Sequence, residues 1–259
     1  MIDAEKIKEA LCDELKSAHI NVFQQVTSTN TILKEKGGNE KEWCTVISSS
    51  QTAGRGRLGR DFYSPENTGV YLSVLLKSQL ETDKAVLITT AAAVAVTRAL
   101  EKMGCENPQI KWVNDIFVNG KKVCGILTES VINPESKRLD FAVLGVGINL
   151  FEPENGFPRE IENVAGAVFK ERTDDLRNRF VALFLNEFFG FYKELSSKKH
   201  LKEYREKCFV LGKNINIIQG EKTESAKATG IDENCNLIAK FPDGTVKKLY
   251  SGEISVKLI

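Results

Sequence analysis

Histidine is nearly absent from this chain, with only His19 and His200 in 259 residues. Its six cysteines, Cys12, Cys44, Cys105, Cys124, Cys208 and Cys235, include no C-x-x-C pair. That supply excludes a zinc site of the usual ligand spacing, and no metal ligands are assigned. The scattered thiols read as the reduced, buried cysteines of a cytoplasmic protein. Cys124 lies in an informative segment, but no histidine near it in sequence would activate it as a nucleophile. An excess of one charge is missing too, since 36 basic residues face 35 acidic ones for a net +1. Near-neutrality argues against a protein devoted to nucleic acid or to an anionic membrane. No apolar run approaches the ~20 residues that span a bilayer. The start, Met1-Ile2-Asp3-Ala4-Glu5, carries acids where a secretory leader is basic, so no leader is expected.

What is present is an ordinary globular composition, 42% hydrophobic and 27% charged. Its densest feature is Gln51-Thr52-Ala53-Gly54-Arg55-Gly56-Arg57-Leu58-Gly59-Arg60, with three glycines and three arginines within seven residues. The stretch follows an apolar run, Thr45–Ser49, that reads as a strand. Glycine admits positive φ and close approach of a ligand to the main chain. Arginine offers a permanently charged fork that fits carboxylate and phosphate oxygens in pairs. Such a loop can wrap a small anion, lie solvated at the surface, or track a nucleic-acid backbone.

Around it the pattern alternates. Ala4–Ser17 carries a short helical stripe (Ile7, Ala10, Leu11, Leu15), and Asn21–Val26 reads as a strand. The strand runs into Thr27-Ser28-Thr29-Asn30, where Thr29 or Asn30 can cap a helix through Leu33, or the polar run can wall a ligand site. Gly69–Leu76 is apolar nearly throughout, as a central strand is. Thr82 or Asp83 is expected to cap a helix to about Met103, whose alanines let it lie close to a sheet. Asp174 or Asp175 opens another, with Phe180, Phe184, Phe188 and Phe191 as core, and a short charged helix covers Leu201–Cys208. From Gly212 the texture changes to short strands, Asn214–Gln219, Ser225–Ile231, Leu237–Phe241 and Val246–Tyr250, which suggest a small barrel. The expected domains are therefore residues 1–210 and 211–259.

Two further blocks carry chemistry. In Lys111-Trp112-Val113-Asn114-Asp115 a short strand breaks, and a hairpin follows whose turn, Asn119-Gly120, is the strongest short hairpin signal. Such a hairpin brings Asp115 near Lys122 on the return strand, although a lysine-decorated surface hairpin has the same pattern. In Gly145-Val146-Gly147-Ile148-Asn149 two glycines share one strand face and leave it bare, for a ring system or for packing.

The G-R-G-R-x-G-R loop, the K-W-x-N-D hairpin and the G-x-G-I-N strand, in that order, resemble the biotin–protein ligases over roughly residues 20–259. The resemblance implies an α+β fold: a mixed β-sheet with helices, of class II aminoacyl-tRNA synthetase-like type, plus a small C-terminal SH3-like β-barrel. It implies ATP-dependent activation of biotin to biotinyl-5′-AMP, with Mg²⁺, and transfer to a lysine of a carboxylase's biotin carboxyl carrier domain. Ser28, Thr29, Asn30 and Gln51 would hold biotin. Gly54, Arg55, Gly56 and Arg57 would close over it and the adenylate, with Arg60 supporting the loop. Lys122 would meet the carboxylate and phosphate, beside Lys111, Asn114 and Asp115. Gly125, Gly145, Gly147 and Asn149 would form the floor. Lys122, Arg55, Arg57 and Asp115 are the expected catalytic groups.

Val113 departs from the family pattern, which has proline there, and Asn163–Ala167, the expected adenine-side loop, matches only loosely. Roughly twenty residues precede the resemblance, so a monofunctional form without the DNA-binding domain of some members is expected; homodimerisation is left open. A lipoate–protein ligase or octanoyl transferase shares the fold and is the nearest rival. A non-enzymatic nucleic-acid binder is the rival of another class, and the net charge speaks against it.

Overall fold

The computed structural model describes residues 1–77, 85–132, 139–173, 175–250 and 255–258. Seven strands form one mixed sheet: β1 (Ile20–Val26), β2 (Thr45–Gln51), β3 (Gly69–Leu76), β4 (Gln109–Lys111), β5 (Asp115–Val118), β6 (Lys121–Ile132) and β7 (Leu139–Asn149). Their spatial order is β1-β2-β3-β7-β6-β5-β4, with β1 and β2 parallel and the other neighbours antiparallel.

The pleat divides the sheet into a core face and a site face. Val70, Leu72, Val74 and Leu76 of β3, with Leu144, Val146 and Ile148 of β7, join the main core. Helix α3 (Ala85–Lys102) contributes to that core and packs against α4 (Leu176–Lys193), α5 (His200–Lys207) and β6. Ala91, Ala92, Ala93 and Ala95 are fully buried, the close approach their size permits. Phe180, Phe184 and Phe188 sit one helical turn apart, with successive ring centroids 6.1 and 5.8 Å apart. Residues of opposite parity, Tyr71, Ser73, Gly145 and Gly147, look the other way. There α2 (Thr29–Lys36) covers one end over a small cluster of Leu33, Cys44, Val46, Leu75, Phe141 and Val143. The remainder of that face is the site.

Several boundaries differ from expectation. The first helix, α1 (Ala4–Glu9), is shorter, and Asp13–Leu15 forms a separate 3₁₀ turn. Asp3 caps α1 with its carboxylate, accepting from Glu5 N and Lys6 N. Ser28, rather than Thr29 or Asn30, holds the N-cap position of α2. The expected caps Thr82, Asp83 and Asp174 lie outside the described residues; Asp175 precedes α4 without a side-chain capping bond. Asn119 and Gly120 take φ of 50° and 74° and form the expected turn between β5 and β6.

The second sheet is antiparallel, with strands β8 (Asn214–Gln219), β9 (Lys222–Ile231), β10 (Leu237–Lys240), β11 (Val246–Leu249) and β12 (Ser255–Leu258). Their order is β11-β10-β9-β8-β12, consistent with an SH3-like barrel. Its β9–β10 loop reaches the first sheet, where the Trp112 indole donates to the Cys235 carbonyl at 2.9 Å. Tyr204 donates to the Val113 carbonyl at 3.0 Å, and Arg205 Nε to the Ile231 carbonyl at 2.9 Å. The break between β4 and β5 is thus fastened from α5 and from the second sheet. Among the described residues, no helix is long and apolar enough to cross a membrane.

Candidate active site

Two neighbouring strands of the seven, β6 and β7, place three glycines on one patch of the site face. Gly125 of β6 pairs with Gly147 of β7, and Gly145 pairs with Ser73 of β3 on one side and Leu127 of β6 on the other. A cavity of about 170 Å³ opens over this patch. Of the expected residues, Ser28, Thr29, Asn30, Gln51, Arg55, Gly56, Arg57, Arg60, Lys111, Asn114, Asp115, Lys122, Gly125, Gly145 and Gly147 line it. Gly54 and Asn149 do not. Gly54 serves loop closure instead: its carbonyl accepts from Phe62 N, and a Cβ there would sit 2.4 Å from the Phe62 carbonyl oxygen.

The arginine loop folds back on itself as a small hairpin. Gly56 N donates to the Arg60 carbonyl at 2.7 Å, and Arg57–Gly59 turns as a 3₁₀ segment. The turn presents Arg57 inward, where Nη1 donates to Asn114 Oδ1 at 3.1 Å. Burial pushes the Arg57 guanidinium below its ordinary range, and nearby Asp115 opposes that. Asn114 joins the two halves, since Nδ2 donates to the Ile126 carbonyl and its own carbonyl accepts from Ile126 N, both at 2.9 Å. Lys122 Nζ lies 2.7 Å from Asp115 Oδ1, as expected of the hairpin, although Lys122 pairs with Phe117 and a bulge sets Asp115 opposite Gly125. The approach is within ion-pair distance but off the hydrogen-bond direction, so buried Oδ1 has no aligned hydrogen-bond partner.

At the other end the groups are polar, neutral and closely bonded. Gln51 Oε1 accepts from Thr29 N at 2.9 Å and Nε2 donates to Ser64 Oγ at 3.0 Å. Gln51 thus satisfies a helix-start N–H that Ser28 leaves unmet, because Ser28 makes no capping bond. The Ser73 hydroxyl donates to Asn30 Oδ1 at 2.6 Å and sits 2.7 Å from Thr29 Oγ1. Asn30 Nδ2 donates to Glu129 Oε2 at 2.9 Å and to the Leu127 carbonyl at 3.3 Å.

The bare glycine face has two occupants that sequence reading did not supply. A Cβ at Gly145 would lie 2.2 Å from Asn30 Oδ1, so this glycine makes room for the asparagine amide. Cβ atoms at Gly147 and Gly125 would lie 2.7 and 3.1 Å from the Phe62 ring, which lies over both. Phe62, Ser73 and Glu129 are the site residues missed. Ser73 was detectable as a lone polar residue within an otherwise apolar strand and Phe62 as an aromatic just past the basic loop, whereas Glu129, in the polar run Thr128-Glu129-Ser130, gave no such signal. Cys124 points to the core face, fully buried, and desolvation raises its thiol pKa far above the ordinary range. Asn149, at the end of β7, donates to the Gly166 carbonyl at 3.1 Å and keeps a buried Oδ1 without a hydrogen-bond partner. It therefore faces the expected adenine-side loop, which is tied to β6 where Lys122 N donates to the Val164 carbonyl and Gly166 N to the Lys122 carbonyl.

Residues 22–149 match the Biotin/lipoate A/B protein ligase family, and residues 210–257 the Biotin protein ligase C terminal domain. The bifunctional ligase/repressor BirA of Bacillus subtilis is 30% identical over 97% of this chain and 78% of its own length. The chain belongs to the biotin–protein ligases. The biotin–[acetyl-CoA-carboxylase] ligase of Mycobacterium tuberculosis is another relative, 27% identical over 88% of this chain and 85% of that protein. The biotin protein ligase from Aquifex aeolicus, solved in complex with biotin and ATP, superposes with a TM-score of 0.74 at 25% identity, covering 93% and 99% of the two chains. The match to a biotin ligase C-terminal domain favours biotin over the lipoate rival, which the first family name also admits.

Proposed function

We propose that the cavity over Gly125 and Gly147 is where this biotin–protein ligase joins biotin to AMP and then passes the biotinyl group to a carrier lysine. The reading rests on one observation: Arg55, Arg57, Lys111 and Lys122 converge on a glycine floor, with the carboxylate of Asp115 against Lys122. In the first step a biotin carboxylate oxygen attacks the α-phosphorus of ATP, and the bond to the bridging oxygen of pyrophosphate breaks. Charge grows on the phosphoryl oxygens, and cations already in place lower that barrier most. Lys122, held by Asp115, and Arg57, held by Asn114, are suitably fixed. Ser28, Thr29, Asn30 and Gln51 bind the polar head of biotin, and the orphaned Asn149 Oδ1 suits a donor on the nucleotide base.

In the second step a carrier-domain lysine attacks the acyl carbonyl, AMP leaves, and the amine proton passes to Asp115 Oδ1, the buried oxygen without an aligned hydrogen bond. An adjoining groove shares Arg55, Arg57 and Leu58 with the cavity and continues to Asn236 and Tyr250, which gives the lysine a route in. No three His, Cys, Asp or Glu side chains converge among the described residues. Magnesium would enter as the counter-ion that ATP brings, bound mainly by its phosphates, with Asp61 and Asp115 the carboxylates among the cavity lining. The division into residues 1–210 and 211–259 is part of the same proposal, with the second unit bracing Trp112 through Cys235.

Single-turnover adenylation with labelled ATP, Mg²⁺ and either biotin or lipoate tests the reading, with wild type beside Lys122→Ala. Biotin-dependent pyrophosphate release that collapses in the variant supports it. Release with lipoate alone assigns the cavity to the sister chemistry, and release with neither overturns the assignment.

A further inference from the structure

Glu129 lies just beyond the cavity lining, midway along β6, with its side chain only 15% exposed. Three donors surround its carboxylate. Oε2 accepts from Asn30 Nδ2 at 2.9 Å, Oε1 accepts from Lys34 Nζ at 2.9 Å, and Arg55 Nη1 stands 3.5 Å from Oε1. Two of these belong to α2 and the third to the arginine loop, so one side chain joins the polar end of the cavity to its rim of arginines.

The geometry has a chemical consequence for Asn30. A carboxylate and a main-chain carbonyl only accept, so the atom facing Glu129 and Leu127 O must be the amide nitrogen. Oδ1 therefore faces Ser73 and Gly145. Both N–H groups of Asn30 are taken, and what remains for a ligand is one lone pair on Oδ1. Burial works to raise the Glu129 pKa. The bonds from Lys34 and Asn30 and the charges of Lys34 and Arg55 outweigh it and hold the group below its ordinary range, hence ionised at neutral pH.

We propose that Glu129 is a positioning residue for the ligase reaction: it holds Arg55 at the cavity mouth and fixes which atom Asn30 turns toward the ligand. Backbone pairing of Arg55 with Asp61 places the loop; among the described residues the half-exposed Arg55 side chain has no other ion pair, so this contact orients its guanidinium. The inner arginine, Arg57, is held separately by Asn114. Lys34, farther along α2, neutralises the second charge interaction without entering the cavity.

The test is Glu129→Gln, which keeps the size and can still accept from Asn30 but removes the charge that attracts Arg55. Limited trypsin digestion of the ligand-free protein is expected to cut the 55–60 loop about fivefold faster in the variant, as loss of a partly exposed ion pair implies. The biotin KM for pyrophosphate release is expected to rise by a similar factor with kcat nearly unchanged, and the increase to vanish on an Arg55→Ala background. A merely structural role would instead lower the melting temperature and leave loop cleavage and the KM-to-kcat split as in wild type; that pattern overturns the proposal. The inference rests on the cavity assignment above. Should wild type release no pyrophosphate with biotin, that assignment falls, while unaltered loop cleavage alone sinks the tether.

Discussion

The two ends of the cavity are built on opposite principles. At the polar end Thr29, Asn30, Gln51 and Ser73 bond to one another, and Thr29, Asn30 and Ser73 are buried. At the cationic end Arg55 is half exposed, and Asp115 meets Lys122 without hydrogen-bond alignment. A neutral, saturated network in a low-dielectric pocket fixes one shape, and any group left unpaired there is costly. A set of paired cations costs less at the rim, where water still reaches the charges, and its field would favour an anionic ligand. One end is ready for a neutral head group before binding. The other holds its inner cations in place, Lys122 by Asp115 and Arg57 by Asn114, and leaves Arg55 half exposed.

Lys122→Ala should break the cationic end most severely. Pyrophosphate release is expected to slow by about 100-fold or more in single-turnover assays, with little change in melting temperature. The floor glycines then separate the two ends. Gly145→Ala drives a Cβ to 2.2 Å from Asn30 Oδ1, within a network that has nowhere to move. A loss of about 2 kcal/mol in denaturant unfolding and at least a tenfold rise in biotin KM are expected. Gly147→Ala meets the edge of the Phe62 ring at 2.7 Å, on a loop whose side chain can yield, so its stability loss should be smaller. Equal losses in the two variants would erase the distinction between a rigid and a yielding end.

Ser73→Ala leaves Asn30 Oδ1 and Thr29 Oγ1 short of a partner and should cost about 1–2 kcal/mol, with the KM effect confined to biotin and absent for ATP. The smallest effect comes from a buried group outside both ends. His200, bonded to Thr90 Oγ1 at 3.0 Å, has its pKa lowered by burial from 6.5 to about 4. Its folded form stays neutral while the unfolded chain gains a proton below pH 6.5. Stability is therefore lost as pH falls from 6.5 toward 4, by about 1 kcal/mol between pH 6.5 and 5.5. The difference between wild-type and His200→Gln unfolding curves across that window should show this slope, and pyrophosphate release per folded molecule should not follow it.

Legibility followed the range of the interactions. Asn119-Gly120 announced a hairpin and with it the approach of Lys122 to Asp115, but not the bulge that sets Asp115 opposite Gly125 and leaves Lys122, opposite Phe117, to reach back to 2.7 Å from it. The arginine loop announced a cluster of fixed cations, and by itself left open whether a small anion, water or a nucleic-acid backbone would face it. Gly145 and Gly147 announced a bare face but not what fills it. Asn30 comes from α2 and Phe62 from the far side of the loop, and nothing in a strand's own pattern encodes a visitor from another element. The Thr27–Asn30 run looked like a cap and proved subtler, since Gln51 on the next strand bonds the helix start and Ser28 does not.

By itself, then, the sequence determined the elements with local causes: period-two strands, alanine-rich and phenylalanine-striped helices, the primed turn, and a cation-rich loop whose charge no fold can hide. Only the tertiary structure decided how those charges are shared, with Asp115 to Lys122, Asn114 to Arg57 and Glu129 to Arg55, and it alone hung the Trp112 wall on a carbonyl of the second sheet. The reason is physical. Backbone preferences act over a few residues, whereas a hydrogen bond or ion pair is chosen by whatever packing brings within about 3 Å, across any separation in the chain.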